Sequence, residues 1–594
     1  MCGIVGYTGK NNVDEILLKG LKRLEYRGYD SAGIAILDGN DIYMQKSKGR
    51  IKELDITSFP KGRVGIGHTR WATHGKPSDE NSHPFLDCSS EFVIVHNGII
   101  DNFIPLKEEM QSKGHAFSSE TDSEVIVHMI EEYYDGDLVE TLKKVVKKLK
   151  GSFAVCALQK GSNSIAIARN QSPLVIGIGA GENMVASDVP AILDYTNEVK
   201  YLLDGDVAEL TPSNVRIWNS QGELVHRDIV EIEWAVEDAE KGGYEHYMLK
   251  EIYEQPKAIH ESLLGRLVDF NDVDFNNYNT DFIRIISCGT SYHAALVGKY
   301  IIEDMARIPC TTELASEYRY SSPSELLPFT ILITQSGETA DTVAAAKEAR
   351  QRGCKTLALT NVMNSSITRE VDEVVFTHAG PEIGVAATKT FTTQLIVLYL
   401  IAMELGLKHK KLLRENVHEY RDELRRLPRY VKVLLDQSNK IKKVSEKLVD
   451  ADDIFFVGRH LNYPVALEGA LKLKEIAYIH SAGYPAGELK HGPFALLTER
   501  TPVVAILIKD HTFEKMLGNI GEIASRGSPI IAVGDHDDEL KKLSDELITI
   551  PSVPPMFSPI LVNVVLQLLA YYTAYNLGCA IDKPRNLAKS VTVE

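Results

Sequence analysis

The chain has 594 residues, 44% hydrophobic and 25% charged, the proportions of an ordinary folded protein with material for about four domains of roughly 150 residues. The 65 Lys and Arg against 82 Asp and Glu leave a net charge of −17, which works against broad contact with nucleic acid or an anionic membrane but not against a small anion in a locally positive pocket. Seven widely spaced cysteines with no CxxC pair argue against a disulfide framework or a zinc ribbon and fit a reducing compartment.

The chain opens with MCGIVGYTGK, which lacks a basic stretch followed by an apolar one; no secretory signal is read, and a cytoplasmic location is expected. Up to about residue 235 the β-rich runs GIVGYTG, SAGIAILDG, RVGIGHTRW, EFVIVHNGII, SFAVCALQ, SIAIARN and VAELTP dominate, with helices over Val13 to Leu24 and Ser123 to Tyr133. This predicts an α+β domain of packed sheets over residues 1–237. Lys241-Gly242-Gly243 marks a hinge within a linker over 238–248. Beyond it strands alternate with helices: IRIISCG, FTILITQSG, KTLALTN and DEVVFTH lead to a long apolar helix from Thr392. DIFFVGR, PVVAILIK, PIIAVGD and ELITIP repeat the order, with Gly289 and Gly458 at matching strand-to-helix turns. Two related α/β parallel-sheet subdomains are expected, at 249–425 and 426–580, joined near 408–430, with a tail over 581–594. Pro559 to Ala580 is apolar, but Asn563, Gln567, Thr573 and Asn576 interrupt it, so it reads as a buried helix and no membrane span is expected. The lysine-rich stretches 142–151 and 408–413 read as solvated faces of amphipathic helices.

Cys2 follows the initiator Met. Once Met1 is removed it carries a thiol beside a free α-amine whose reference pKa of about 7.7–8.0 suits it as base for its own thiol. The segments CGIVGYTG, LEYRGYDSAG, GHTRWATHG, VHNGII and SETDSE occur in order within the first 125 residues, and together they resemble the class II glutamine amidotransferases. The resemblance implies an N-terminal-nucleophile (αββα) glutaminase domain with Cys2 as nucleophile. It further implies Asn97 and the Gly98 N–H as oxyanion donors, Arg70 for the substrate carboxylate and Asp122 for its ammonium. Arg27, Trp71, Thr73 and His74 fall in the same motifs, with Trp71 as a gate for ammonia. His68 and His74 lack carboxylate or cysteine companions, so no metal is expected.

Residues 329–342, FTILITQSGETADT, run from a strand into a helix and place Thr334, Gln335, Ser336 and Thr339 beside free backbone N–H groups, either as a phosphate cradle or as plain helix capping. Thr290 and Ser291 in SCGTSYHAA form a second such turn. Lys472 precedes Glu475 by three positions on one helix face, where it either tunes that carboxylate or forms a surface ion pair.

The two turns resemble sugar-phosphate isomerase (SIS) domains. With EIGVAATKTFTTQ, ALEGALKLKEIAYIH, AGELKHGP and DKPRNLAKSVTVE, the whole chain resembles the glutamine–fructose-6-phosphate aminotransferase (isomerizing) family. That implies glutamine-dependent amination and isomerisation of fructose 6-phosphate to glucosamine 6-phosphate, the first step of hexosamine synthesis, with ammonia channelled internally and no cofactor. Glu475 is then the proton-transferring carboxylate, Lys589 the Schiff-base lysine, and His491 the ring-opening residue reaching in from a neighbouring subunit of a homodimer. Lys472 assists, Val385 and Ala588 line the sugar pocket, and Arg585 and Glu468 match motif positions. Departures are Thr334 and Ala387 where serine is frequent, and Pro485 in a variable loop; none alters the expected reaction class. A phosphoribosyl acceptor lacks its acidic pyrophosphate-binding strand end, and a silent sugar-phosphate sensor is at odds with Cys2, Glu475, His491 and Lys589 occurring together.

Overall fold

The computed structural model describes the chain except residues 1, 57–58, 72–73, 233–239, 269, 324 and 593–594; Thr73 therefore lies outside the described residues. The chain divides into two compact units, Met1–Ala239 with Ser590–Glu594, and Glu240–Lys589.

In the first unit, Gly3–Thr8 lies inside an eight-stranded sheet, antiparallel to Glu182–Ala186 on one side and Val64–Arg70 on the other. All six of its residues are buried, which explains why it reads as a continuous apolar run rather than an alternating one. Ile4, Ala35, Leu37, Val64 and Ile66 pack onto Val93, Val95, Ala154 and Cys156 of a seven-stranded antiparallel sheet. Helix Val13–Leu24 covers the outer face of the first sheet through Leu17, Leu21 and Leu24. Helices Phe103–Ser112, Glu124–Tyr133 and Leu138–Val146 cover the second sheet. The result is the expected αββα stack.

In the second unit, two five-stranded parallel sheets share one strand order. The first runs Cys310–Leu314, Ile283–Ser287, Phe329–Thr334, Thr356–Thr360, Glu373–Phe376, and the second His480–Pro485, Asp453–Gly458, Val503–Leu507, Ile530–Gly534, Glu546–Thr549. The repeated order supports the duplication read from the sequence. Each half sends a long apolar helix, Lys389–Lys408 or Ser558–Asn576, into a common core. Both helices are long and apolar enough to cross a membrane, yet the apolar window of each is 89% buried inside the fold. The helices that follow the first strand of each half, Gly289–Ala306 and Asn462–Ala477, pack on each other, and this contact brings the two turn regions together.

Three expectations change. The long helix starts at Lys389, not Thr392, because the Glu382 carboxylate accepts hydrogen bonds from the Thr388 and Thr390 amides at 2.9 and 3.1 Å and so caps its positive end. Residues 408–413 are not a solvated helix face. Lys408 ends that helix and donates to the carbonyls of Phe275 (2.7 Å) and Tyr278 (2.5 Å) and to Thr280 Oγ1 (2.8 Å). The division expected at residues 425 and 426 falls inside one 23-residue helix, Arg414–Asp436.

Candidate active sites

The N-terminal site is built at strand ends. Cys2 precedes strand Gly3–Thr8, and its Sγ accepts the Trp71 amide at 3.3 Å, just past the end of the neighbouring strand Val64–Arg70. The Cys2 carbonyl accepts Asn97 Nδ2 at 3.0 Å and Arg27 Nε at 3.3 Å. Arg27 is buried and ion-paired with Asp188 at 2.9 Å, so it anchors the chain terminus. Asn97 Nδ2 also donates to Ser187 Oγ at 2.8 Å, which commits both of its protons. His68 Nε2 stands 3.0 Å from both Asn97 Oδ1 and the His96 carbonyl. Both partners are acceptors, so Nε2 carries the proton. Burial holds the ring neutral, pressing its pKa down to about 3. His68 and Ser187 thus set the amide of Asn97, and neither was anticipated as a site residue.

Gly98 follows with φ of +127°, where a Cβ would stand 2.0 Å from the Ser152 carbonyl, so only glycine fits. Arg70 is buried, and burial presses its guanidinium pKa down against the pull of Cys2, Asp122 and Asp30. Its Nη2 donates to the carbonyls of His74 and Gly75 (the latter at 3.3 Å), while its buried Nη1 has no hydrogen-bond partner among the described residues. Asp122 is buried and accepts the Ile100 amide at 2.8 Å.

In the second unit, Thr290, at the N-terminal end of its helix, donates to Glu468 Oε1 at 3.0 Å and accepts from Lys472 Nζ at 3.0 Å. His293 Nδ1 lies 2.7 Å from Glu468 Oε2. Lys472 is fully buried and pairs with Glu475 at 2.6 Å and Glu468 at 3.4 Å, which rules out the surface ion pair. Burial opposes its charge, but the two carboxylates outweigh that and hold its pKa above the usual lysine value. Stranding a buried charge in such a cluster costs about 3–5 kcal/mol. Burial raises the Glu475 carboxyl above its ordinary range despite Lys472 beside it.

Lys589, in the C-terminal tail, pairs with Glu382, and both are buried. Burial pushes the Glu382 carboxyl up, but Lys589 and the Thr388 and Thr390 donors outweigh it and bring it to about 2. The tail is tied down ahead of this contact. Asp582 accepts the Tyr247 and Met248 amides at 2.9 and 3.0 Å, its carbonyl accepts the Val385 amide at 3.2 Å, and the Arg585 amide donates to Tyr478 OH at 2.8 Å. Ala588, beside Lys589, is half-buried.

The hydroxyl-rich turn after Phe329–Thr334 is formed as expected. Thr334 Oγ1 lies 3.1 Å from Thr339 Oγ1 and accepts the Gly337 amide at 3.3 Å, while Ser336 Oγ accepts the Glu338 amide at 3.1 Å. Thr339 makes no side-chain cap to its helix, so plain capping does not account for it. Gln335 and Ser336 stay half-exposed, and Ser291 Oγ accepts Gln394 Nε2 at 3.0 Å. His491 is exposed and makes no hydrogen bond or ion pair among the described residues.

The SIS domain family matches residues 278–404 and again 447–577, and the glutamine amidotransferase domain family matches 68–194. Over 609 aligned residues the chain is 50% identical to a glutamine–fructose-6-phosphate aminotransferase [isomerizing] of Caldanaerobacter subterraneus, with both chains covered in full. The chain belongs to the glutamine–fructose-6-phosphate aminotransferase (isomerizing) family. The Aquifex aeolicus relative of that name is 49% identical over 600 residues, again across both whole chains. The C-terminal domain of the glucosamine-fructose-6-phosphate aminotransferase of Francisella tularensis superposes with a TM-score of 0.55 at 38% identity, covering 58% of this chain and all of that one.

Against that family pattern, Glu382 and Glu251 are the carboxylates that sequence reasoning passed over, although Glu382 stands inside the matching EIGVAATKTFTTQ segment. Glu251 accepts the Ile383 and Gly384 amides at 2.5 and 3.0 Å, and burial, then Glu382, push its pKa up to about 8. A carboxyl raised in the folded state keeps a proton that the unfolded chain has lost. Stability therefore falls as pH rises from the ordinary carboxylate range to about 8 and is level above it. Glu251→Gln mimics the neutral form and is expected to melt higher than wild type at pH 8 but not at pH 4; equal differences at both pH values in calorimetry would refute the linkage.

Proposed function

We infer that this chain hydrolyses glutamine at Cys2 and uses the ammonia to convert fructose 6-phosphate to glucosamine 6-phosphate. The observation carrying this reading is the full-length relationship to enzymes of that name, joined to a cysteine at position 2 held at Asn97 and a buried lysine–carboxylate set on a duplicated SIS fold. In the glutaminase half-reaction, with Met1 removed, the α-amine takes the Cys2 proton, Sγ attacks the amide carbon, the proton passes to the departing nitrogen so that ammonia leaves, and water then cleaves the thioester to glutamate and the free thiol. The Gly98 N–H and Asn97 Nδ2 receive the oxyanion, Asn97 giving up its bond to the Cys2 carbonyl or to Ser187. Arg70 Nη1 takes the substrate carboxylate, Asp122 the ammonium, and Trp71, Thr73 and His74 close the pocket over Arg27.

In the synthase half, Thr334, Gln335, Ser336, Thr339, Thr290 and Ser291 offer hydroxyl, amide and backbone donors to the sugar phosphate, with Val385 and Ala588 as walls. His491 opens the ring, and its exposure fits delivery from a partner subunit of a homodimer. Lys589 activates the C2 carbonyl as a Schiff base, ammonia replaces it, and Glu475, held by Lys472, moves a proton from C1 to C2. One carbon is oxidised and its neighbour reduced, so no external redox partner is needed.

Incubation with amide-¹⁵N glutamine, fructose 6-phosphate and excess unlabelled ammonium tests the reading. Labelled glucosamine 6-phosphate is expected, with ammonia passed inside the protein. Glutamate without amino sugar would sink the acceptor assignment, and unlabelled product would sink internal transfer.

A further inference from the structure

A second cluster of reactive side chains lies in the first unit outside the glutamine site. Cys88 follows strand Phe85–Leu86, His115 follows helix Phe103–Ser112, and His128 and Glu131 project from one face of helix Glu124–Tyr133. Their ligand atoms all lie within 4.8 Å of one another. Cys88 Sγ is 3.6 Å from His128 Nδ1 and 3.9 Å from His115 Nδ1. Glu131 Oε2 is 3.0 Å from His115 Nδ1 and 3.6 Å from His128 Nδ1. Donors held about 2.0–2.3 Å from a tetrahedral zinc stand roughly 3.3–3.8 Å apart, and the observed spacings bracket that range. Glu131 stands 3.6 Å from Nδ1 of buried His128, too long for an N–H···O bond, so among the described residues only the Cys88 thiol pairs with that nitrogen.

The outward-facing ring nitrogens supply an independent observation. His115 Nε2 lies 3.3 Å from Glu132 Oε2, and His128 Nε2 lies 3.6 Å from Glu124 Oε1. His115 thus has a carboxylate against each ring nitrogen, Glu131 on the cluster side and Glu132 behind it, the outer carboxylate being the arrangement that metal-bound histidines show. The Glu124 contact is too long for a hydrogen bond, and buried His128 Nε2 has no hydrogen-bond partner among the described residues. Glu131 is itself oriented, accepting the Cys88 and Ser89 amides at 3.0 and 3.1 Å.

We propose that Cys88, His115, His128 and Glu131 bind one Zn²⁺ ion per chain, as thiolate, two imidazoles and a carboxylate around a tetrahedral centre. Cys88 is exposed, so the ion and the displaced thiol proton exchange with solvent. The ion fastens the loop after Phe85–Leu86 to helix Glu124–Tyr133, tying together segments that lead into Asn97 and out from Asp122. The role is structural, since four protein ligands leave a tetrahedral ion no open position. Spacing conceals the set because its members come from three separate segments.

The test uses the full chain, stripped with a chelator and titrated with Zn²⁺ or Co²⁺. One equivalent is expected to bind, with Co²⁺ giving tetrahedral ligand-field bands and a thiolate charge-transfer band. Cys88→Ser is expected to lose the charge-transfer band, and Glu132→Gln, behind His115, to weaken zinc binding about 10-fold. Retained glutaminase activity confirms folding in each sample. Absence of stoichiometric uptake by active wild-type protein, or a six-coordinate Co²⁺ spectrum without a sulfur band, overturns the proposal. The wild-type spectrum decides the matter even if Cys88→Ser does not fold.

Discussion

Replacing Cys2 with alanine is expected to lower glutamine-dependent synthesis at least about 10⁴-fold while leaving synthesis from added ammonium close to wild type. The separation follows from where the atoms are. Cys2 supplies the only thiol at the strand end where Asn97, Arg27 and the Trp71 amide converge, and nothing else described there can form the thioester. The carbonyl of residue 2 does the structural work through Asn97 and Arg27, and alanine keeps that carbonyl. The variant should therefore fold and melt like wild type. Parallel assays with glutamine and with ammonium chloride decide the point; equal losses with both nitrogen donors would place Cys2 in the structure rather than in the chemistry.

Glu475→Gln is expected to show the opposite pattern, losing about 10²–10⁴-fold in amino sugar formation with either nitrogen donor while still releasing glutamate. Glutamine keeps the shape but removes the base that would carry a proton between C1 and C2. Lys472 would keep Glu468 as its charge partner at 3.4 Å, so the buried ammonium is not stranded and the fold should survive. Because burial holds the Glu475 carboxyl above the ordinary range, and the base acts ionised, synthase activity in wild type should fall with acid at a pH above that range. Deuterium exchange at C1 of the sugar gives a readout that a merely structural role would not move. Mixing Glu475→Gln chains with His491→Asn chains extends the test: recovered activity supports a site shared between subunits, and none refutes it.

The alternatives weighed on sequence are separated by the same assays. A phosphoribosyl acceptor would leave glutaminase activity without amino sugar, and a silent sensor would leave neither. The full-length relationship to enzymes of one name argues against both.

What the sequence by itself determined about this protein is whatever depends on a few contiguous residues. A cysteine next to the initiator Met carries, once that Met is removed, a thiol beside its own α-amine, which is legible from two residues. The run GIVGYTG reads as a strand from its composition, while only the fold shows that all six positions of Gly3–Thr8 are buried. Hydroxyls clustered where a strand meets a helix meet nearby backbone N–H groups by local geometry, as Thr334 and Ser336 do with the Gly337 and Glu338 amides. The tertiary structure alone decided what lies far apart along the chain. Lys589 meets Glu382 across 207 positions, and Thr290 and His293 meet Glu468 across 178 and 175. No periodicity links such partners, because burial of a charge is arranged by packing rather than by propensity. The edge strands Cys310–Leu314 and His480–Pro485 escaped notice for a related reason. Each is paired on one side and partly exposed, so its residues carry little of the apolar patterning that marks a central strand, and its identity comes from the neighbour it hydrogen-bonds.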